Sequence, residues 1–200
     1  MSSLSRPATN LDPDHKAFLA DYVARLHRAV AIDDTVFSQI SATSATWLQT
    51  RERGGRTIFI GNGGSAGIAS HLAIDLSKNA SVPAACFSDA SMMSCLANDY
   101  GFEDWIAHAV RLNARAGDCL VAISSSGRSK NIINAVAKAR EMKLDVITLS
   151  GMNPDNPLRT LGDVNYWVDS RSYNIVETAH QFWMMAAIDL IIGRAEYPAS

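Results

Sequence analysis

The chain has 200 residues, 48% hydrophobic and 19% charged, which suits one ordinary domain with a substantial core and is too apolar for a disordered chain. Eighteen Lys and Arg stand against 20 Asp and Glu, a formal net charge of −2, so no general basic field exists to hold nucleic acid or an anionic membrane, and any anion must be bound locally. The polar start MSSLSRPATNLDPD lacks the apolar stretch of a secretion signal, and no uninterrupted apolar run reaches the ~18 residues of a membrane span. Cys86, Cys95 and Cys119 are an odd number without metal spacing. Two of them lie in apolar runs, as befits thiols in a reducing compartment, and the cytoplasm is the expected location.

Residues 1–14 are expected to form a flexible tail and residues 15–197 one domain. Apolar residues recur at helical intervals at Phe18, Tyr22, Leu26 and Val30, then at Val36, Ile40, Trp47 and Leu48. The spacing predicts two helices, because Asp33-Asp34-Thr35 supplies a break with its own N-cap. After the turn Arg53-Gly54-Gly55, the run Thr57-Ile58-Phe59-Ile60 has no alternating polar face and reads as a strand covered on both sides. The same pattern returns at 84–87, 119–123 and 145–149, each run separated from the next by helical spacing, and Tyr166-Trp167-Val168 adds a further strand. Residues 152–161, with Asn153-Pro154 and Asn156-Pro157, read as a loop, and 175–192 as a final helix. Its apolar stretch 182–192 is expected to lie within the protein or against another subunit. Strand alternating with helix predicts an α/β sandwich of three layers, a parallel sheet covered on both faces, with added N-terminal helices.

Two strands end in loops of unusual composition that run straight into helices. One is Gly61-Asn62-Gly63-Gly64-Ser65-Ala66-Gly67, the other Ser124-Ser125-Ser126-Gly127-Arg128-Ser129. In a parallel sheet, ligands bind in the crevice beyond the carboxyl ends of the strands. Glycine lets the backbone at Gly63 come close to a ligand, while helix N-terminal amides and serine hydroxyls donate to phosphate oxygens. The plainer reading is that these residues only cap helices. A rival is the dinucleotide fingerprint, matched by Gly61, Gly63 and Ala66 with Asp89 as the downstream acid, which suggests an NAD(P)-dependent oxidoreductase. Asp89 comes after the second strand, later than that pattern prefers, and the three consecutive serines have no task in a nicotinamide fold.

Phe59-Ile60-Gly61-Asn62-Gly63-Gly64-Ser65, Asn98-Asp99-Tyr100-Gly101-Phe102, and Ala122-Ile123-Ser124-Ser125-Ser126-Gly127 with Ser129 just beyond together resemble the sugar isomerase (SIS) domain. Their order and spacing are most similar to the phosphoheptose isomerase branch. The resemblance implies a flavodoxin-like α/β fold assembled as a homotetramer with shared active sites, and a phosphorylated sugar as partner. It implies that Ser65, Ser124, Ser126 and Ser129 hold the phosphate with help from Ser125, and that Asn62 and Asp99 contact sugar hydroxyls.

Aldose–ketose isomerisation needs a base beside a carbonyl and an acid or metal to polarise it. His71 and Asp75 at i, i+4 and Glu177 and His180 at i, i+3 each share a helix face with ligand spacing, though such pairs also occur on ordinary helix surfaces. The expected acid/base residues are Glu177, Asp75 and His180. The expected metal set is His71, Asp75, Glu177 and His180, holding zinc or another divalent ion, and no nucleotide cofactor is expected. The chain departs from the family in having Asp75 for a glutamate, Glu177 for a glutamine, Ala66 for a histidine and Arg128 for a small polar residue. Met184 stands where the family has a second histidine, and a thioether neither transfers a proton nor holds a hard ion well. Arg128 is equally suited to a phosphate contact or a surface position. The reading is a sugar-phosphate aldose–ketose isomerase. The alternative is a non-catalytic protein that senses a sugar phosphate or serves as a scaffold, a class that also lacks the second histidine.

Overall fold

The computed structural model describes residues 14–198, so the tail expected over 1–14 lies outside them apart from Asp14. Helices α1 (His15–Val30) and α2 (Asp34–Glu52) are separated at the expected break. There the Asp33 carboxylate accepts from the Val36 amide at 2.8 Å and satisfies one of the donors that a helix start leaves open.

Strand β1 (Thr57–Ile60) leads to α3 (Gly64–Asn79), β2 (Ala84–Cys86), α4 (Ala90–Tyr100), α5 (Trp105–Asn113) and β3 (Cys119–Ile123). Helix α6 (Lys130–Glu141), β4 (Asp145–Gly151), β5 (Val164–Val168) and α7 (Tyr173–Ile192) complete the order. All strand pairings are parallel, in the order β2-β1-β3-β4-β5, which is the flavodoxin-like arrangement expected. The segment 152–161 is not wholly irregular. Pro157–Thr160 makes one 3-10 turn, capped by the Asn156 side chain accepting from the Arg159 amide at 3.0 Å.

Period-two alternation divides the core. Phe59, Val121, Ile147 and Tyr166 face one layer, with Trp47 of α2, Leu72 of α3 and Trp183 of α7. Ile58, Ile60, Leu120 and Val146 face the other, with Trp105 and Ile106 of α5 and Ile132 of α6. Strands buried on both faces need no polar alternation, hence their continuous apolar sequences. Among the described residues, α7 alone is long and apolar enough to cross a membrane. Here its residues Ile175, Val176, Ala179, Trp183, Met184, Ala187 and Ile188 are buried in the core, and α2 is tied to it by Ser44 Oγ donating to the Ala187 carbonyl at 3.0 Å.

Candidate active site

Because β1 and β3 are neighbours in a parallel sheet, the two singled-out loops leave adjacent strand tips on the same edge. They are joined directly. The side-chain amides of Asn62 and Asn131 donate to each other's oxygen, both at 2.9 Å, one from the first loop and one from the start of α6. Asn131 is 2% exposed, so this paired bridge fixes loop spacing rather than meeting solvent. Nothing in the sequence singled it out.

Close approach explains the glycines. A Cβ on Gly61 would lie 2.6 Å from the backbone of Ser65, so the loop can fold onto the first turn of α3 only without a side chain there. Gly127 has φ +63° and a Cβ on it would lie 1.9 Å from Asn156 Oδ1, so both backbone conformation and packing demand glycine.

Between the loops lies an open pocket of about 130 Å³, lined by Asn62 and Ser65 from the first, Ser124, Ser125, Ser126 and Ser129 from the second, and Tyr173 and Glu177 from α7. Ser65, Ser124 and Ser125 are buried at its floor. Ser124 Oγ donates to Ser129 Oγ at 3.2 Å, and Ser126 Oγ accepts from the Arg128 amide at 3.2 Å. Ser129 is the N-cap of α6 without a side-chain cap bond. Its hydroxyl and the first amides of α6 are therefore suited to an anion.

Glu177 is the one carboxylate lining this pocket among the described residues. Ser125 Oγ donates to its Oε1 at 3.4 Å, and a Cβ on Gly64 would lie 2.3 Å from its Oε2. The carboxylate thus fits between the second loop and the bare backbone of the first. Gly64→Ala is expected to leave the fold intact, since a flexible side-chain end yields easily, but to push the Glu177 carboxylate away. A fall of about tenfold in turnover, at unchanged melting temperature, is the result to measure.

Other expected residues stand elsewhere. His180 was expected to act as acid/base and metal ligand, but it is fully buried behind the pocket, with Nε2 donating to the Ser150 carbonyl at 3.0 Å. The carbonyl can only accept, so the Nε2–H tautomer is present and Nδ1, which finds no partner among the described residues, is bare. Burial, opposed by the bond to Ser150, lowers its pKa to about 4. Met184 is fully buried as well, packs in the core and does not line the pocket. One turn beyond Glu177 on α7 stands Gln181, whose Nε2 lies 3.1 Å from His71 Nδ1. His71 Nε2 in turn lies 3.1 Å from Asp75 Oδ2. His71 thus pairs with both Asp75 and Gln181, and neither His71 nor Asp75 lines the serine pocket.

The four-residue metal set does not assemble: among the described residues no three His, Cys, Asp or Glu side chains converge on a cation position. Residues three apart on a helix share a face only to within about 60°, and on α7 that difference puts Glu177 at the pocket and His180 in the core. Asp99, at the end of α4, is exposed and accepts from Asn98 Nδ2 at 2.9 Å. It does not line the pocket of its own chain. Arg128 forms a surface ion pair with Asp155 at 2.8 Å, with the arginine side chain 48% exposed. Asp89, the acid of the dinucleotide reading, caps α4 by accepting from the Met92 amide at 2.8 Å.

The buried histidine carries a prediction about acid. Its folded pKa, about 4, lies below the ~6.5 of an unfolded chain, so the unfolded state binds more protons between those values. Its contribution, about 3 kcal/mol, is fully present above pH 6.5 and is lost as pH falls toward 4. Chemical denaturation at pH 7.5 and pH 4.5 is expected to show a smaller loss in His180→Gln than in the parent. Equal losses would remove His180 from the account of acid sensitivity.

A five-stranded parallel sheet in this order, with two serine- and glycine-rich loops at neighbouring strand tips, defines an α/β protein of the flavodoxin-like class with one open polar pocket between those loops. The chain belongs to the SIS domain family, whose pattern matches residues 18–151. It is 38% identical over 144 residues to the phosphoheptose isomerase of Bradyrhizobium sp. (strain BTAi1 / ATCC BAA-1182), covering 68% of this chain and 73% of that protein. To the phosphoheptose isomerase of Escherichia coli (strain K12 / DH10B) it is 39% identical over 124 residues, 60% of this chain and 65% of that one. Its structure is similar to that of phosphoheptose isomerase GmhA from Neisseria gonorrhoeae, with a TM-score of 0.78 at 30% identity over 88% of this chain and 97% of the other.

Proposed function

We propose that the chain is a sugar-phosphate aldose–ketose isomerase of the phosphoheptose isomerase type. The observation that carries this reading is the placement of one carboxylate, Glu177, against a pocket whose serines come from two adjacent helix-opening loops. Such a pocket grips a phosphate through hydroxyls and helix-start amides and sets a base near the other end of the same small molecule.

In the proposed reaction Glu177 removes a proton from the carbon beside the carbonyl of the open-chain sugar, giving an enediol as the carbonyl oxygen gains a proton. The base then returns its proton to the neighbouring carbon, and the new carbonyl forms as the other oxygen releases one. One carbon is oxidised and its neighbour reduced, so the reaction is redox-neutral and uses no nucleotide cofactor. Glu177 is the base because it alone of the candidate acid/base residues lines the pocket, while His71 and Asp75 pair beside Gln181 and His180 is buried.

The homotetramer with shared active sites is part of the proposal. A pocket of about 130 Å³ is below the usual ~300–1,000 Å³ of small-molecule sites, which leaves the sugar to be covered by another chain. Helix α1 has no buried residue, and Phe18, Leu19, Phe37, Ile74, Phe182 and Leu190 are exposed, supplying apolar surface for such contacts. Location in the cytoplasm is proposed with it and is in keeping with three free cysteines.

The test is proton exchange in deuterated water over a panel of ketose and aldose phosphates that includes sedoheptulose 7-phosphate. Deuterium is expected on the carbon beside the carbonyl. Saturable binding of a sugar phosphate without exchange would overturn the isomerase in favour of the sensor.

A further inference from the structure

A cavity of about 700 Å³, several times the size of the serine pocket, opens at the tip of β5, two strands away from the second serine loop. It is walled by the last turns of α1, the start of α2 and the segment leading into α7. This is the sheet edge on which parallel α/β proteins hold ligands, and the volume is that of a small-molecule site.

Its charges are poorly balanced from within. Arg25, Arg28 and Arg171 all line it. Arg25 reaches Asp21 only at 3.9 Å, in the open, while Arg28 and Arg171 find no carboxylate partner among the described residues. Of the two acids in the wall, Asp33 has one oxygen engaged in capping α2. Asp169 is exposed and unpaired among the described residues. With two carboxylates in the same wall the cavity keeps a formal excess of one positive charge, and the guanidiniums of Arg28 and Arg171 are planar forks of the kind that grip phosphate bidentately.

Of the two indoles in the wall, Trp183 donates to the Val30 carbonyl at 3.3 Å, and Trp167 carries the Arg159 guanidinium on its ring at 4.1 Å. The Trp167 ring nitrogen is buried and does not meet the cavity.

We propose that this cavity is a second binding site, separate from the isomerase pocket, for a diphosphate ester carrying a hydroxylated sugar, the chemical class of a nucleoside diphosphate. Arg28 and Arg171 hold the diphosphate, with Arg25 beside them. Asp169 accepts from sugar hydroxyls.

The test is calorimetric titration of the intact protein, in its native assembly, with ADP and separately with inorganic pyrophosphate. ADP is expected to bind saturably at one per chain and more tightly than pyrophosphate. Affinity falls about tenfold or more in Arg28→Ala and in Arg171→Ala, and less in Arg171→Lys, which keeps the charge but loses the fork. It is unchanged in Ser124→Ala, which alters the serine pocket alone. Both arginines lie at the protein surface, so melting temperatures should match the parent. Absence of saturable ADP binding overturns the site, as does binding that is lost in Ser124→Ala and indifferent to both arginines. Equal affinity for pyrophosphate overturns the sugar-recognising role of Asp169.

Discussion

Glu177→Gln is expected to lower kcat by about 10²- to 10⁴-fold while changing KM for the sugar phosphate by less than about threefold. The substitution is nearly isosteric, and the amide can still accept the Ser125 hydroxyl that lies 3.4 Å from Oε1, so the pocket keeps its shape. What disappears is the capacity to take and return a proton, which is used only in the chemical step. Steady-state kinetics in both directions, with deuterium exchange alongside, separates the two parameters. Asp75→Asn serves as the contrast. Asp75 is paired with His71 at 3.1 Å outside the serine pocket, so its loss is expected to be much smaller. A loss in Asp75→Asn as large as that in Glu177→Gln would show that the base is not Glu177 alone.

That contrast also marks where sequence reasoning reached and where it stopped. Burial on both faces imposes an unmistakable pattern, and β1 and β3 have the bounds their apolar runs predict. Strand β2 is short and partly exposed, β4 continues through Ser150 and Gly151, and β5 starts at Val164. Their ends are set by pairing with neighbours, which a local pattern does not carry. The break between α1 and α2 was legible because one aspartate both interrupts the apolar spacing and caps the start of α2.

In the site, the serines and Glu177 were legible and the company of His71 was not. Spacing of three or four residues says that two side chains share a helix face, yet not which neighbour that face meets. On α7 the difference between positions 177 and 180 separates a pocket from a core, and His180 went to the core. Asn131, Tyr173 and Gln181 carry no motif, because each acts across a long sequence separation, Asn131 toward Asn62 and Gln181 toward His71. The same holds for Gly64, whose task is to leave room for Glu177.

The phosphate end of the site should respond to mutation in the opposite sense from the base. Ser124→Ala removes a hydroxyl that is buried on the pocket floor and bonded to Ser129 Oγ at 3.2 Å. A hydrogen bond to a charged group is worth about 1.5–3 kcal/mol, so KM is expected to rise about 10- to 100-fold with kcat nearly preserved at saturation. Inorganic phosphate, as a competitive inhibitor, should weaken in parallel, which ties the effect to the phosphate rather than to the sugar. Gly127→Ala goes further without touching a single donor. Its φ of +63° disfavours any side chain, and the added Cβ lies 1.9 Å from Asn156 Oδ1. Asn156 is 3% exposed and anchors its own loop by donating to the Gly151 and Asn153 carbonyls at 3.2 and 2.8 Å. It has little room to retreat, so the serine loop must move instead. Both phosphate inhibition and turnover are then expected to fall by about 10²-fold or more, with a lower melting temperature. A Gly127→Ala protein that bound phosphate as well as its parent would show that the loop's conformation is not what holds the anion.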